Sequence, residues 1–364
     1  MKKIDRYILQ KYFTTFFFCL ILFTLVVVVV DMSEKTEDFA RSGLSASEIF
    51  NQYYLAFIPH IDAMLFPLFV FISVIFFTSK MASRTEVVAI LSSGVGFRRY
   101  LLPFAWGGFI LAALLWFGYR ELIPRSNEQW AYFEKVYINR NAAPTATRST
   151  YKQNVYFRVD SNSYASIQGY DTISKTGTML SIYRFANHQL IYNLRALNFR
   201  WDTAQKKWEL SNVLERDLLP IKENVSYSYR KSVDYPFRPI DLRKDDYLKD
   251  QMSSHELKEF IDKEKQRGSE MLGMLEVEWH NRNAIPVSVF ILTLIGAILA
   301  SRKVRGGSGI HLAIGVIISV TYILCSRFTI VFATRGSMSP SWAAWTPNIL
   351  FGLLTLYLYR RAPK

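Results

Sequence analysis

Few side chains in this sequence are placed to do chemistry, and most of those border or interrupt apolar runs. Glu86 closes Ser83-Arg84-Thr85-Glu86. That spacing is a capping box, in which a hydroxyl and a carboxylate three residues apart satisfy free N–H groups at a helix start. It predicts a short amphipathic helix over Thr85 to Leu91, with Val87, Val88, Ile90 and Leu91 as its apolar face and Gly94 or Gly96 as its left-handed stop. Such a helix, on a link between two apolar runs, suits docking on a partner. Its plainer role is the cap alone, worth about 0.5–2 kcal/mol. Arg327 stands inside an apolar stretch. A charge in lipid is costly, so it must face a cavity, reach the surface or pair with a group such as Asp62. A guanidinium there also matches a phosphate or carboxylate ligand. Lys35 and Arg41 follow the first apolar run, interleaved with Glu34, Glu37 and Asp38. His60 and Asp62 are the one neighbouring pair suited to acid–base work, but at i and i+2 on a helix they point to different faces.

Other chemistry is missing from the sequence. It has no G-x-x-x-x-G-K-[ST] loop for nucleotide phosphates, no H-E-x-x-H and no paired Cys-x-x-Cys. Its 5 histidines are scattered. Gly306-Gly-Ser-Gly309 reads as a flexible turn rather than a phosphate loop. Asp and Glu are nearly absent from the apolar runs, which argues against proton-coupled transport. If the chain moves something, the energy comes from a partner.

The elements that position these residues are six uncharged stretches: Tyr12–Val30, Ala63–Ser79, Leu101–Tyr119, Ala284–Ala300, Leu312–Ser326 and Ala343–Tyr359. A bilayer core takes roughly 20 apolar residues per helix, so the 364 residues read as three spans, one polar domain and three spans. The formal charge of +14 is no sign of nucleic-acid binding, because much of it sits in four clusters at span ends. These are Lys2, Lys3, Arg6 and Lys11; Lys80, Arg84, Arg98 and Arg99; Arg302, Lys303 and Arg305; and Arg360, Arg361 and Lys364. Alternating spans put all four on one side, so the positive-inside rule predicts cytoplasmic termini and an external middle domain. The first run exceeds the roughly 7–15 residues of a signal-peptide core, so it reads as a retained span. Of the 2 cysteines, Cys19 and Cys325, neither falls in the middle domain, which therefore has no disulfide.

Ser45-Ala-Ser-Glu48 is a second capping box, opening a helix towards Pro59, with a kink expected at Pro67 within the second span. From Tyr151 to about Tyr235 short alternating segments follow one another, with DTAQKK as a turn between Trp201 and Trp208. They predict a sandwich or rolled sheet without crossover helices. Its aromatics, Tyr156, Phe157, Tyr164, Tyr183, Phe185, Tyr192, Phe199 and Trp201, are expected to form its core. Ser253-Ser-His-Glu256 caps a further helix stopped by Gly268. The expected fold is thus six transmembrane helices plus an all-β domain between helices 3 and 4. Its divisions are 1–124, with the link helix near 83–93, then 125–270 and 271–364.

Several stretches in order resemble the LptF/LptG permeases of lipopolysaccharide export: TEVVAILSSGVGFRRYLLP, ELIPRSNEQ, GTMLSIYRFANHQLIYNLRALNFRWDTAQKKWEL, HNRNAIPVSVFILTLIGAILA and PSWAAWTPNILFG. The opening DRYILQKYFTTF and VVDMSEK resemble the LptG branch more than LptF. The resemblance implies an inner-membrane, multi-pass subunit with a periplasmic β-jellyroll. It would pair with a paralogous six-span permease, a cytoplasmic ATPase dimer and periplasmic jellyroll bridge proteins. No catalytic residue, metal or cofactor is expected on this chain; ATP and Mg would be bound by the ATPase. Glu86, with Arg84, Val87, Val88, Ile90, Leu91 and Gly94, would form the coupling helix. Lys35, Arg41 and Arg327 would meet the lipid headgroup, and Tyr156, Tyr183, Phe185 and Tyr192 would line an acyl-chain path. A lipoprotein-release subunit is disfavoured by the three-plus-three count, and a lipid- or glycan-modifying enzyme by the lack of a carboxylate or histidine constellation.

Overall fold

In a computed structural model the chain is described over residues 2–138, 155–171, 174–187, 189–218, 222–242, 248–269, 271–302 and 308–362. Tyr151, Lys303, Arg305, Gly306, Gly307 and Lys364 lie outside these residues. The chain forms two compact units, one of residues 1–133, 249–258 and 273–364, the other of 134–248 and 259–272.

The first unit holds the long helices. Helix α1 (Lys3–Glu34) is followed by α2 (Thr36–Ser42) and by α3 (Ala46–Ile49), which starts on the expected Ser45/Glu48 box, with Ser45 N–H donating to Glu48 at 2.8 Å. A wide turn at Phe50–Tyr54 leads into α4 (Leu55–Ser83), which continues through Pro59 and Pro67. Then come α5 (Glu86–Ser92), α6 (Phe97–Phe117), α7 (Ile123–Phe133), the short α8 (Leu248–Gln251), α9 (Ser254–Arg267), α10 (Leu272–Ala300), α11 (Ser308–Thr334) and α12 (Pro340–Arg360). Among the described residues, five helices are long and apolar enough to cross a membrane: α1, α3–α4, α6–α7, α10 and α11. The sixth, α12, has 21 residues and opens on Pro340, whose missing N–H costs nothing at that position. Its buried Asn348 donates to the Ala284 carbonyl (2.7 Å) and accepts from Tyr322 (3.1 Å), tying α12 to α10 and α11.

The helices differ in how far they are covered. In the most apolar stretch, 61% of α10 and 56% of α4 is buried, against 6% of α1 and 11% of α11. So α4 and α10 are central, whereas α1 and α11 turn most of their apolar surface outward. Where α1, α6 and α10 meet, Tyr12 and Thr293 share a hydrogen bond of 3.0 Å. The backbone of α6 comes close there because residue 108 is glycine: a Cβ would stand 2.9 Å from Thr293.

The second unit holds six antiparallel strands in chain order, β1 (Val155–Arg158), β2 (Ser163–Asp171), β3 (Thr176–Ala186), β4 (Gln189–Asp202), β5 (Lys207–Leu218) and β6 (Glu223–Val233). Nearest-neighbour order is what short turns without crossovers require. At the DTAQKK turn, Asp202 accepts the Ala204 N–H at 2.8 Å and Lys206 takes φ 54°. One face is the core: Ala165, Ile167, Leu180, Ile182, Leu194, Ala196 and Val213, closed by Tyr170, Phe199, Trp208 and Phe237. Trp208 is fully buried and donates its indole N–H to the Phe237 carbonyl at 2.8 Å.

The inward set changes parity at one row crossing the sheet. It passes from Ile167 to Tyr170 in β2, from Leu180 to Gly177 in β3, from Ala196 to Phe199 in β4 and from Val213 to Leu210 in β5. Strict alternation would put residues an even number apart on one face. The break falls at Gln168, Met179, Leu197 and Asn212, the positions between successive register pairs of β2 to β5. Met179 and Asn212 both adopt a left-handed φ of 53°, which turns the strand over. The sheet is therefore creased, and an apolar inside is kept on both sides of the crease.

Candidate functional site

At one end of the bundle, α4 runs to Ser83, and the Ser83 hydroxyl donates back to the Lys80 carbonyl at 2.8 Å. Ser83 is thus the last residue of one helix and cannot cap the next, so the expected Ser83/Glu86 capping box does not form. A left-handed Thr85 (φ 62°) makes the corner, and its carbonyl accepts the first bond of α5, from Ala89 N–H at 2.9 Å. The Glu86 carboxylate instead accepts from the Tyr7 hydroxyl at 3.1 Å. Asp5 binds Arg99 through two parallel bonds (2.8 and 2.7 Å) and accepts the Lys2 N–H at 2.8 Å. These contacts fasten the start of α1 to α5 and to the start of α6. Asp5, Tyr7 and Arg99 escaped sequence reading because each partner lies 79 or more residues away.

The four apolar residues of α5 do not share an outward face. Val87 is 1% exposed, and Ile90 and Leu91 pack partly against the same core, whereas Val88 is 54% exposed. The outward surface is Arg84, Thr85, Val88, Ala89 and Ser92. Gly94 ends the link helix as expected, with φ 86° and its N–H on the Leu91 carbonyl at 3.1 Å.

Towards the other end of α4 lies a cavity of about 350 Å³. His60, Met64 and Pro67 of α4, Glu278 and Arg282 of α10, and Tyr322, Ser326 and Arg327 of α11 line it, with Lys249 and Asp250. Arg282 is 4% exposed and grips the returning chain, donating to the carbonyls of Lys249 (2.7 Å) and Met252 (2.8 Å), beside Glu278 at 3.4 Å. His60 meets Asn127 at 2.8 Å and stacks on Trp130, and Asn127 donates to the Asp250 carbonyl at 2.8 Å. Burial and the nearby Glu278 push the Asp250 carboxyl up to about 6. Arg327 faces this cavity and makes no ion pair among the described residues. Asp62 is not its partner: it accepts from Thr24 at 2.6 Å on another face from His60, as i, i+2 spacing demands. Arg282 gave no sequence signal beyond a charge at the edge of an apolar run.

The other expected contacts are dispersed. Lys35 turns inward, 3.1 Å from Asp31, donates to the Tyr53 hydroxyl and lies 4.9 Å from the centre of that ring. Arg41 sits on the surface 3.4 Å from Glu37. In the sheet, Phe157, Tyr192, Phe199 and Trp201 pack in or against the core as expected. Tyr156, Tyr164, Tyr183 and Phe185 do not: Tyr164 and Tyr183 are register partners on the opposite face, Phe185 packs on Tyr164, and Tyr156 is 68% exposed. Adjacent aromatics cannot both point inward on a period of two.

Long apolar helices before and after an inserted all-β domain, with a guanidinium lining a cavity between helices and lacking an ion partner among the described residues, define a polytopic membrane protein. Among the described residues no three His, Cys, Asp or Glu side chains converge to hold a metal. The chain belongs to the family described as lipopolysaccharide export system permease LptF/LptG, whose pattern it matches over residues 6–361. It is 23% identical over 369 aligned positions, covering 98% of each chain, to the lipopolysaccharide export system permease protein LptG of Escherichia coli strain K12. The same figures relate it to LptG of Escherichia coli O6:H1.

Proposed function

We propose that this chain is the inner-membrane permease subunit of an ATP-driven exporter, which lifts lipopolysaccharide from the outer leaflet of that membrane and passes it through the β-domain to a periplasmic bridge. Membership of the export family over nearly the whole chain is the observation that carries this reading. The four basic clusters at alternate span ends support cytoplasmic termini and an external sheet. Lifting an amphiphile exposes acyl chains at about 0.8 kcal/mol per methylene, so work must be supplied. The chain has no nucleotide loop, which supports a separate cytoplasmic ATPase dimer holding ATP and Mg, and a paralogous permease completes the complex. In this reading the partner acts on the outward surface of α5, and the Tyr7–Glu86 and Asp5–Arg99 contacts carry its movement into α1 and α6. Arg327 offers a guanidinium to an anionic headgroup group in the cavity. The test is to purify the chain from its native membrane and identify what accompanies it. Recovery of an ATPase, a second six-span subunit and bound lipopolysaccharide by mass spectrometry is the expected result. A chain that is isolated alone, without lipid and with its β-domain cleaved by a cytoplasmic protease, would sink the proposal.

A further inference from the structure

The sheet carries a hollow of about 640 Å³, within the range of roughly 300–1,000 Å³ usual for ligand sites. Its wall beyond the crease is one cross-strand row: Thr178, Asn198, Ser211 and Arg230 are successive register partners on β3, β4, β5 and β6. Strands lie about 4.8 Å apart, so the row spans roughly 14 Å. None of these four side chains makes a hydrogen bond within the chain among the described residues. The next row supplies Arg200 and Glu209, paired at 2.9 Å, and Asp171 closes one end. Tyr170, 2% exposed and with a hydroxyl lacking a partner among the described residues, also lines the hollow. Gly177 must stay glycine, because a Cβ there would collide with the Phe199 ring.

The chemistry of the lining selects the ligand. An amide, four hydroxyls and two guanidiniums stand with two carboxylates, Glu209 paired with Arg200 and Asp171 accepting from Ser174 at 2.8 Å, so donors and acceptors are present together and the charges balance. An apolar chain would leave them unsatisfied. A polyanion would meet Asp171 and Glu209. A hydroxyl-rich, nearly neutral ligand uses both kinds of group. We infer that this hollow, lined by these polar rows and by the core residues Tyr170 and Phe199, binds the saccharide part of the exported glycolipid. The inference rests on the lipopolysaccharide reading above. It divides the sheet by chemistry, with acyl chains along the apolar core and sugar in the polar hollow.

The experiment uses the full chain in lipid nanodiscs and three probes: oligosaccharide freed from lipopolysaccharide by mild acid, lipid A alone, and intact lipopolysaccharide. The wild type should bind the free oligosaccharide, and Asn198→Ala with Arg230→Ala should weaken that binding about tenfold while lipid A binding is unchanged. Both positions are exposed, and an unchanged melting temperature shows that the variant is folded. Lipid A binding without oligosaccharide binding, or oligosaccharide binding that the variant leaves intact, overturns the saccharide site alone. Failure to bind either lipid A or lipopolysaccharide overturns the proposed function, and the saccharide site with it.

Discussion

The two ends of the helix bundle treat charge in opposite ways. At the α5 end the carboxylates are spoken for: Asp5 is held by Arg99 and the Lys2 N–H, and Glu86 by Tyr7. At the cavity end Arg282 is held by two carbonyls and Glu278, whereas Arg327, on α11 in the same cavity, has no ion partner among the described residues. A closed set of short polar contacts makes helices move together. An exposed guanidinium on the lining of a cavity is open to an anion. The difference teaches which charges hold the molecule and which are left over for function.

The largest effect that would sharpen this contrast belongs to Arg282→Ala. It orphans the Lys249 and Met252 carbonyls and the half-buried Glu278 partner, and is expected to cost about 3–5 kcal/mol, read as a large fall in melting temperature in detergent. If Arg282→Ala melts like the wild type, the staple is not what holds the returning chain.

Asp250 comes next. Its carboxyl binds a proton more tightly in the folded chain, at about 6, than at its ordinary 3.8. Between those values the folded state carries the extra proton, so stability is fully present below about pH 4 and falls as pH rises through 6. The loss is at most about 3 kcal/mol. Asp250→Asn should flatten this part of the pH–stability curve and leave the variant the more stable form at pH 7.5. A curve with the same slope in both proteins would remove Asp250 as its source.

Arg327→Gln should leave the melting temperature unchanged, because it breaks no ion pair among the described residues, yet weaken binding of lipopolysaccharide about tenfold. A stability loss without a binding loss would reverse the contrast and make Arg327 structural.

The smallest effects separate Glu86 from its hydrogen bond. Tyr7→Phe removes one half-exposed bond and should change stability by at most about 1 kcal/mol, while lowering the transport obtained per ATP hydrolysed. Glu86→Ala should leave the chain folded and inserted but weaken coupling more than Tyr7→Phe does. Equal coupling in all three proteins would show that the contact transmits nothing.

Much of this architecture is legible in the chain. Tyr12–Val30 and its counterparts announce helices because no soluble fold needs uncharged stretches of that length, and the strands from Val155 to Val233 announce themselves by alternation and turns. Local caps were legible where the first helical residue was clear, as at Ser45/Glu48 and Ser253/Glu256, whose carboxylate is held below its usual range by the Ser253 N–H and hydroxyl. The same pattern misled at Ser83, because α4 keeps that residue and the corner passes to Thr85.

What the sequence determined by itself was the order of the long apolar helices and of the strand region between them, since burying apolar surface and closing backbone hydrogen bonds are demands met within a few residues. The tertiary structure alone decided which polar groups meet: Asp5 with Arg99, Tyr7 with Glu86, Arg282 with the chain at Lys249, and Arg327 with an open cavity. It also decided which strand faces turn over at Met179 and Asn212. A charge placed among helices is settled by neighbours far along the chain, and no local spacing encodes their distance in space.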